Sequence, residues 1–67
     1  MNHIKFLKRP DVQAMTSLSR SSIYALMEQG KFPKQIKLSE RSVAWIESEI
    51  QDWLKSRVSA SRQEGAI

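Results

Sequence analysis

Sixty-seven residues allow one small domain, whose marginal core leaves no room for a buried catalytic chamber. The lack of cysteine excludes disulfides and thiolate metal sites and fits a reducing compartment, while no apolar run approaches the roughly 18 residues of a membrane span. The net charge of +4 is unevenly placed: residues 1–41 hold eight Lys/Arg against three Asp/Glu, residues 42–67 three against four, so the basic body points to a polyanionic partner on one face.

Residues 1–7 show no charged-then-apolar leader pattern, and with the missing span this gives the expectation of a cytoplasmic protein. A short extended segment is expected here, with Phe6 and Leu7 on the core and Lys5 outward. His3 is the only histidine and has no second ligand nearby in the sequence. Arg9-Pro-Asp-Val-Gln-Ala-Met15 predicts a short first helix. Pro10 suits N1, where its missing N–H costs nothing, and Asp11 complements the positive end of the dipole. Val12 and Met15 are its expected buried positions.

Thr16, Ser17 and Leu18 then separate this helix from Ser19, in the segment Leu18-Ser-Arg-Ser-Ser-Ile-Tyr-Ala-Leu-Met-Glu-Gln-Gly30, which has a clear start and stop. Ser19 suits the N-cap, Leu18 and Ile23 have the spacing of a hydrophobic staple, and Gly30 suits the end. At about 100° per residue, Ile23, Leu26 and Met27 share the inner arc, while Ser21, Tyr24, Ala25 and Glu28 take the other side. The first turn thus offers the cation Arg20, hydroxyls and a positive dipole end, which suits a phosphate or the edge of a guanine. An ordinary capped surface helix would share these features. The joint has helix-turn-helix proportions, which an αα-corner also has.

Pro33 forbids continuation of the helix, and Phe32 before it is a candidate core plug. Gln35-Ile-Lys-Leu38 alternates, Ser39-Glu-Arg-Ser42 breaks, and Val43-Ala-Trp-Ile46 is β-branched and aromatic: a two-stranded hairpin. Such a hairpin is marginal alone, so Ile36, Leu38, Val43 and Trp45 are expected to pack on the helices. Lys34, Lys37 and Arg41 would project from its edge or tip, as a wing on a phosphate backbone or as protection of a sheet edge.

Glu47 to Arg57 predicts a third helix, with Ile50, Trp53, Leu54 and Val58 in an apolar stripe. Acids begin it and bases end it, as the macrodipole favours. Glu47, Glu49 and Asp52 read as a solvated face rather than a catalytic pair, and Trp53 as core. Residues 59–67 are small and polar without periodicity, so a domain of residues 1–58 followed by a flexible tail is expected. The sequence has no repeats, Gly-rich phosphate loop or Ser/His/Asp set. No enzyme activity, cofactor or metal is therefore expected.

These parts together resemble the AlpA family of short bacterial and prophage regulators, grouped with MerR-like and excisionase-like winged helix-turn-helix proteins. The resemblance covers residues 4–58 and is carried by Phe6-Leu-Lys-Arg-Pro-Asp-Val12, Leu18-Ser-Arg-Ser-Ser-Ile-Tyr24, Gly30-Lys-Phe-Pro-Lys34, Ile36-Lys-Leu38, Arg41-Ser-Val-Ala-Trp45, Glu47-Ser-Glu-Ile50 and Trp53-Leu54. It implies a mainly α fold with a small β-hairpin. It also implies sequence-specific binding of double-stranded DNA by the helix after the turn, and regulation of mobile-element genes as a transcriptional activator or as an excision factor that bends DNA for an integrase. Carried onto this chain, Arg20, Ser21, Ser22 and Tyr24 match the recognition helix, and Lys37 and Arg41 fall on the wing. The chain departs from the family pattern at Ala25, where a basic residue is common, and at Ser39-Glu40, where the wing tip is often Gly-rich or basic.

The expected mechanism docks the second helix in the major groove, with Arg20 on a guanine, Ser21, Ser22 and Tyr24 on phosphate or base edge, and Lys34, Lys37 and Arg41 on flanking phosphates. A homodimer, tandem sites, or an integrase or RNA polymerase contact would add affinity. The competing class is a protein-interaction module that uses the third helix. A small repressor or toxin–antitoxin partner would share the fold and differ in regulatory sign.

Overall fold

Ser19 opens the second of two short helices where the spacing predicts it, and Pro10 lies in the first turn of the other. In the computed structural model, which describes residues 3–65, β1 (Phe6–Leu7) leads into α1 (Arg9–Thr16) and α2 (Arg20–Glu28). The hairpin β2 (Ile36–Ser39) and β3 (Ser42–Ile46) follows, and then α3 (Glu47–Gly65). Pro10 stands one place later than N1, because α1 already begins at Arg9 with Lys8 as an extended N-cap.

The joint between α1 and α2 is built by Thr16 and Ser17. The Thr16 hydroxyl donates to the Val12 carbonyl at 2.8 Å and accepts the Leu18 N–H at 3.3 Å. Ser17 turns the chain in the left-handed conformation, φ 61°, and its N–H reaches the Gln13 carbonyl at 2.8 Å. Small polar residues tolerate such a corner at a helix end better than branched ones. Ser19 then caps α2, its Oγ accepting the Ser22 N–H at 3.1 Å. At the far end the Lys31 N–H bonds to the Leu26 carbonyl at 2.8 Å and the Gly30 N–H to the Met27 carbonyl at 3.0 Å. With Gly30 at φ 73° this is a Schellman ending.

The expected two-stranded hairpin proves to be a three-stranded antiparallel sheet, in order β1-β3-β2. Leu7 pairs with Trp45 and Phe6 with Ile46; Ile36 pairs with Ala44 and Lys37 with Val43. A two-residue strand is too short to show alternation in sequence, and only the central β3 gives it a partner.

The core gathers one side chain from each helix, one each from β1 and β3, and one from the loop after α2: Leu7, Val12, Ile23, Phe32, Trp45 and Ile50 are buried together. Phe6 was expected there but is 46% exposed, since neighbours on a strand face opposite ways and Leu7 takes the inward side. Ile36 and Leu38 also stay outside, Leu38 at 44% exposure. They lie on an edge strand whose four residues are all exposed, while α1 and α3 pack against β3. Two indoles pin the irregular loop after Gly30. Trp53 donates to the Lys31 carbonyl at 2.8 Å and Trp45 to the Pro33 carbonyl at 3.2 Å, and Phe32 meets Trp53 edge-on at 4.8 Å. These bonds satisfy backbone groups that no sheet or helix partner serves.

The third helix runs well past its expected end at Arg57. Its stripe loses cover along the way: Ile50 is buried, Trp53 and Leu54 are half-buried, and Val58 is 48% exposed. Residues 59–63 continue the helix with every side chain exposed. Of the expected flexible tail, residues 66 and 67 lie outside the described residues.

Candidate nucleic-acid interface

The capped start of α2 brings Arg20 and Ser21 to the surface, both exposed. Ser22 is half-buried and belongs to the cap: besides its N–H bond, its Oγ accepts from the Ser19 hydroxyl at 3.0 Å. That leaves its own hydroxyl proton for a further acceptor. Arg20 and Tyr24 stand one turn apart on the same side of α2, with the guanidinium carbon 5.8 Å from the Tyr24 ring centroid.

Tyr24 was expected on the outward side and is instead half-buried. It packs against the core cluster and lies edge-on to Trp45, with centroids 6.4 Å apart. Trp45 thus remains core, as the sequence indicated, but also supports Tyr24 of the candidate interface from beneath. No local pattern links Tyr24 to it, because the contact joins α2 to a strand that follows two turns and an irregular loop.

Lys34, Lys37 and Arg41 are all exposed, in the loop before β2, on β2 and at the hairpin tip respectively. Lys37 pairs with Val43, two residues from Trp45, so alternation places it on the Trp45 face of the sheet. Two further lysines serve the N-terminal arm. Lys8 donates from Nζ to Ser42 Oγ, and Lys5 pairs with Glu47 at 3.5 Å; the latter is solvent-exposed and contributes little. Among the described residues no cluster of His, Cys, Asp or Glu could hold a metal ion, and no helix is long and apolar enough to cross a membrane.

Two short helices joined at a tight corner, a β-hairpin beyond the second helix and a third helix behind them define the winged helix-turn-helix class. The sequence model of the family described as Prophage CP4-57 regulatory protein (AlpA) matches residues 5–58, and the chain belongs to the AlpA family. It is 35% identical over 60 residues to the DNA-binding transcriptional activator AlpA of Escherichia coli K12, covering 81% of this chain and 86% of that one. It is 43% identical over 61 residues to the Uncharacterized protein ORF88 of Enterobacteria phage P4, covering 91% of this chain and 68% of the relative.

Proposed function

We propose that this chain is a sequence-specific double-stranded DNA-binding transcriptional regulator of the AlpA type, acting on prophage or mobile-element genes in the bacterial nucleoid. It acts by binding and carries out no catalysis. The observation that carries this reading is the pairing of an exposed arginine on a capped helix start with exposed cations on the neighbouring hairpin. Family membership and the name of the Escherichia coli relative support it.

In this mechanism α2 enters the major groove. Arg20 offers two parallel donors to a guanine edge, Ser21 and Ser22 reach phosphate or base, and the Tyr24 ring lies beside Arg20. Lys34, Lys37 and Arg41 meet the backbone beside the groove. Some four to six phosphate contacts make log K fall with log salt at a slope of roughly −4 to −5. One such module buries on the order of 600–1,000 Å². Affinity therefore gains from a second copy on a tandem site or from an integrase or polymerase partner.

The test is a fluorescence titration with duplexes from upstream of its own gene and of the nearest integrase gene, against scrambled duplexes, at two salt concentrations. Tight, sequence-dependent binding supports the proposal. Equal, weak binding that salt abolishes overturns it in favour of a protein-interaction module. An excision factor would bind with the same specificity, bend the site and raise excision by the integrase without changing a promoter reporter.

A further inference from the structure

We infer that Tyr24 is a positioning residue of this interface: it orients Arg20 for base contact and ties α2 to the loop that leads into the hairpin. The inference rests on the reading of Arg20 as a base contact and says what holds that arginine in place.

An exposed arginine on a first helical turn has many rotamers, and a base contact needs few of them. Arg20 lies within the range of a cation–π contact with Tyr24, 5.8 Å from guanidinium carbon to ring centroid. The Tyr24 ring is itself constrained. It is half-buried, and it meets Trp45 at an interplanar angle of 67°, the edge-on geometry that aromatic quadrupoles favour. Trp45 has no exposed surface, and its indole N–H is committed to the Pro33 carbonyl at 3.2 Å.

A continuous set of contacts thus runs from Arg20 through Tyr24 and Trp45 to Pro33, the residue before Lys34. The outer member is exposed, Tyr24 is half-buried and Trp45 is fully buried. The arrangement lowers the ordering cost of Arg20 when DNA binds, as preorganisation does. It also places Lys34 relative to the first turn of α2 before any ligand arrives. What Arg20 requires is the face of an aromatic ring, which phenylalanine retains and leucine lacks.

The test selects from a library of 20-base-pair duplexes with randomised centres and compares wild type, Arg20→Ala, Tyr24→Phe and Tyr24→Leu, with thermal unfolding of each protein alongside. Arg20→Ala is expected to flatten preference at one base pair. Tyr24→Leu is expected to weaken preference at that same pair about two- to five-fold and to leave the salt slope unchanged, and Tyr24→Phe to match wild type. Full preference in Tyr24→Leu would reduce Tyr24 to packing. Loss of preference in Tyr24→Phe would make its hydroxyl a direct DNA contact. Either result overturns the inference and leaves the reading of Arg20 standing, whereas an Arg20→Ala profile equal to wild type removes both. Should Tyr24→Leu fail to fold, proton NMR of the free wild-type protein decides: ring-current-shifted Arg20 δ-methylene signals are expected, and random-coil shifts overturn the inference.

Discussion

Trp45 and Pro33 are joined by one hydrogen bond, indole Nε1 to carbonyl oxygen at 3.2 Å, across twelve residues of chain. The same indole is fully buried and meets the Tyr24 ring in an edge-on arrangement. One side chain therefore fills the core, terminates a loop and touches the candidate recognition helix. Trp45→Phe keeps most of the apolar contact but removes the donor, so the Pro33 carbonyl is left unpaired at a cost of about 1–3 kcal/mol. Trp45→Ala adds a cavity, for about 3–5 kcal/mol in all. A domain this small has only about 3–10 kcal/mol to lose, so the alanine variant is expected to be largely unfolded. Urea unfolding followed by circular dichroism measures both, and a phenylalanine variant as stable as wild type would show that the bond contributes nothing.

Gly30 stands at φ 73°, and a Cβ built there would meet no atom within 4 Å. A substitution at this position therefore reports backbone strain without a steric clash. Gly30→Ala is expected to cost about 1 kcal/mol, and Gly30→Asn less, because asparagine enters the left-handed region more readily. Equal stability of the glycine and alanine proteins in a thermal melt would mean that the Schellman ending tolerates either residue.

Ser19 caps α2 through the Ser22 N–H. Ser19→Ala should destabilise by about 1 kcal/mol, and Ser19→Asp should restore it, since aspartate also accepts at an N-cap. Amide exchange at Ser22 separates this from a general loss of stability: it should rise more in the alanine variant than exchange at buried Ile23.

The chemistry legible in the sequence was local. A capping serine, a helix-ending glycine and a proline in a first turn each act within a few bonds, and the structure finds all three at work in α1 and α2. The alternation in Gln35–Leu38 and Val43–Ile46 gave the hairpin, but alternation says only that two faces exist. Which face is covered depends on distant elements, so Phe6, Ile36 and Leu38 were placed inside although only Leu7, Ala44 and Trp45 are buried there. The extension of α3 was hidden for another reason. Residues 59–63 lack an apolar stripe, yet alanine, arginine and glutamine favour a helix, and no proline or glycine interrupts the chain between Lys34 and Glu64. For the candidate site, the exposure of Arg20, Ser21, Lys34, Lys37 and Arg41 followed from pattern, whereas the seating of Tyr24 against Trp45 needed the tertiary fold.

Lys37 and Lys55 are both exposed lysines, one on β2 and one on α3. If the hairpin lies on the phosphate backbone, Lys37→Ala should weaken binding to every DNA sequence alike and lower the salt slope by about 1. Lys55→Ala should leave that slope unchanged. Titrations over a series of salt concentrations make the comparison, and matching slopes for the two variants would remove the wing from the interface.

Residues 59–63 form an exposed extension of α3, following a residue, Val58, that is already half-exposed. A helical end without tertiary cover gains little from its own hydrogen bonds, since short helices are marginal in water. A chain ending at Val58 should therefore unfold within about 0.5 kcal/mol of the full chain, as changes remote from packed features do, while its helical signal falls. DNA binding separates two roles for the extension. Unchanged affinity and salt slope would make residues 1–58 a self-sufficient DNA-binding domain. Preserved stability with weaker binding on tandem sites, but not on single ones, would instead mark the extension as a contact between bound copies.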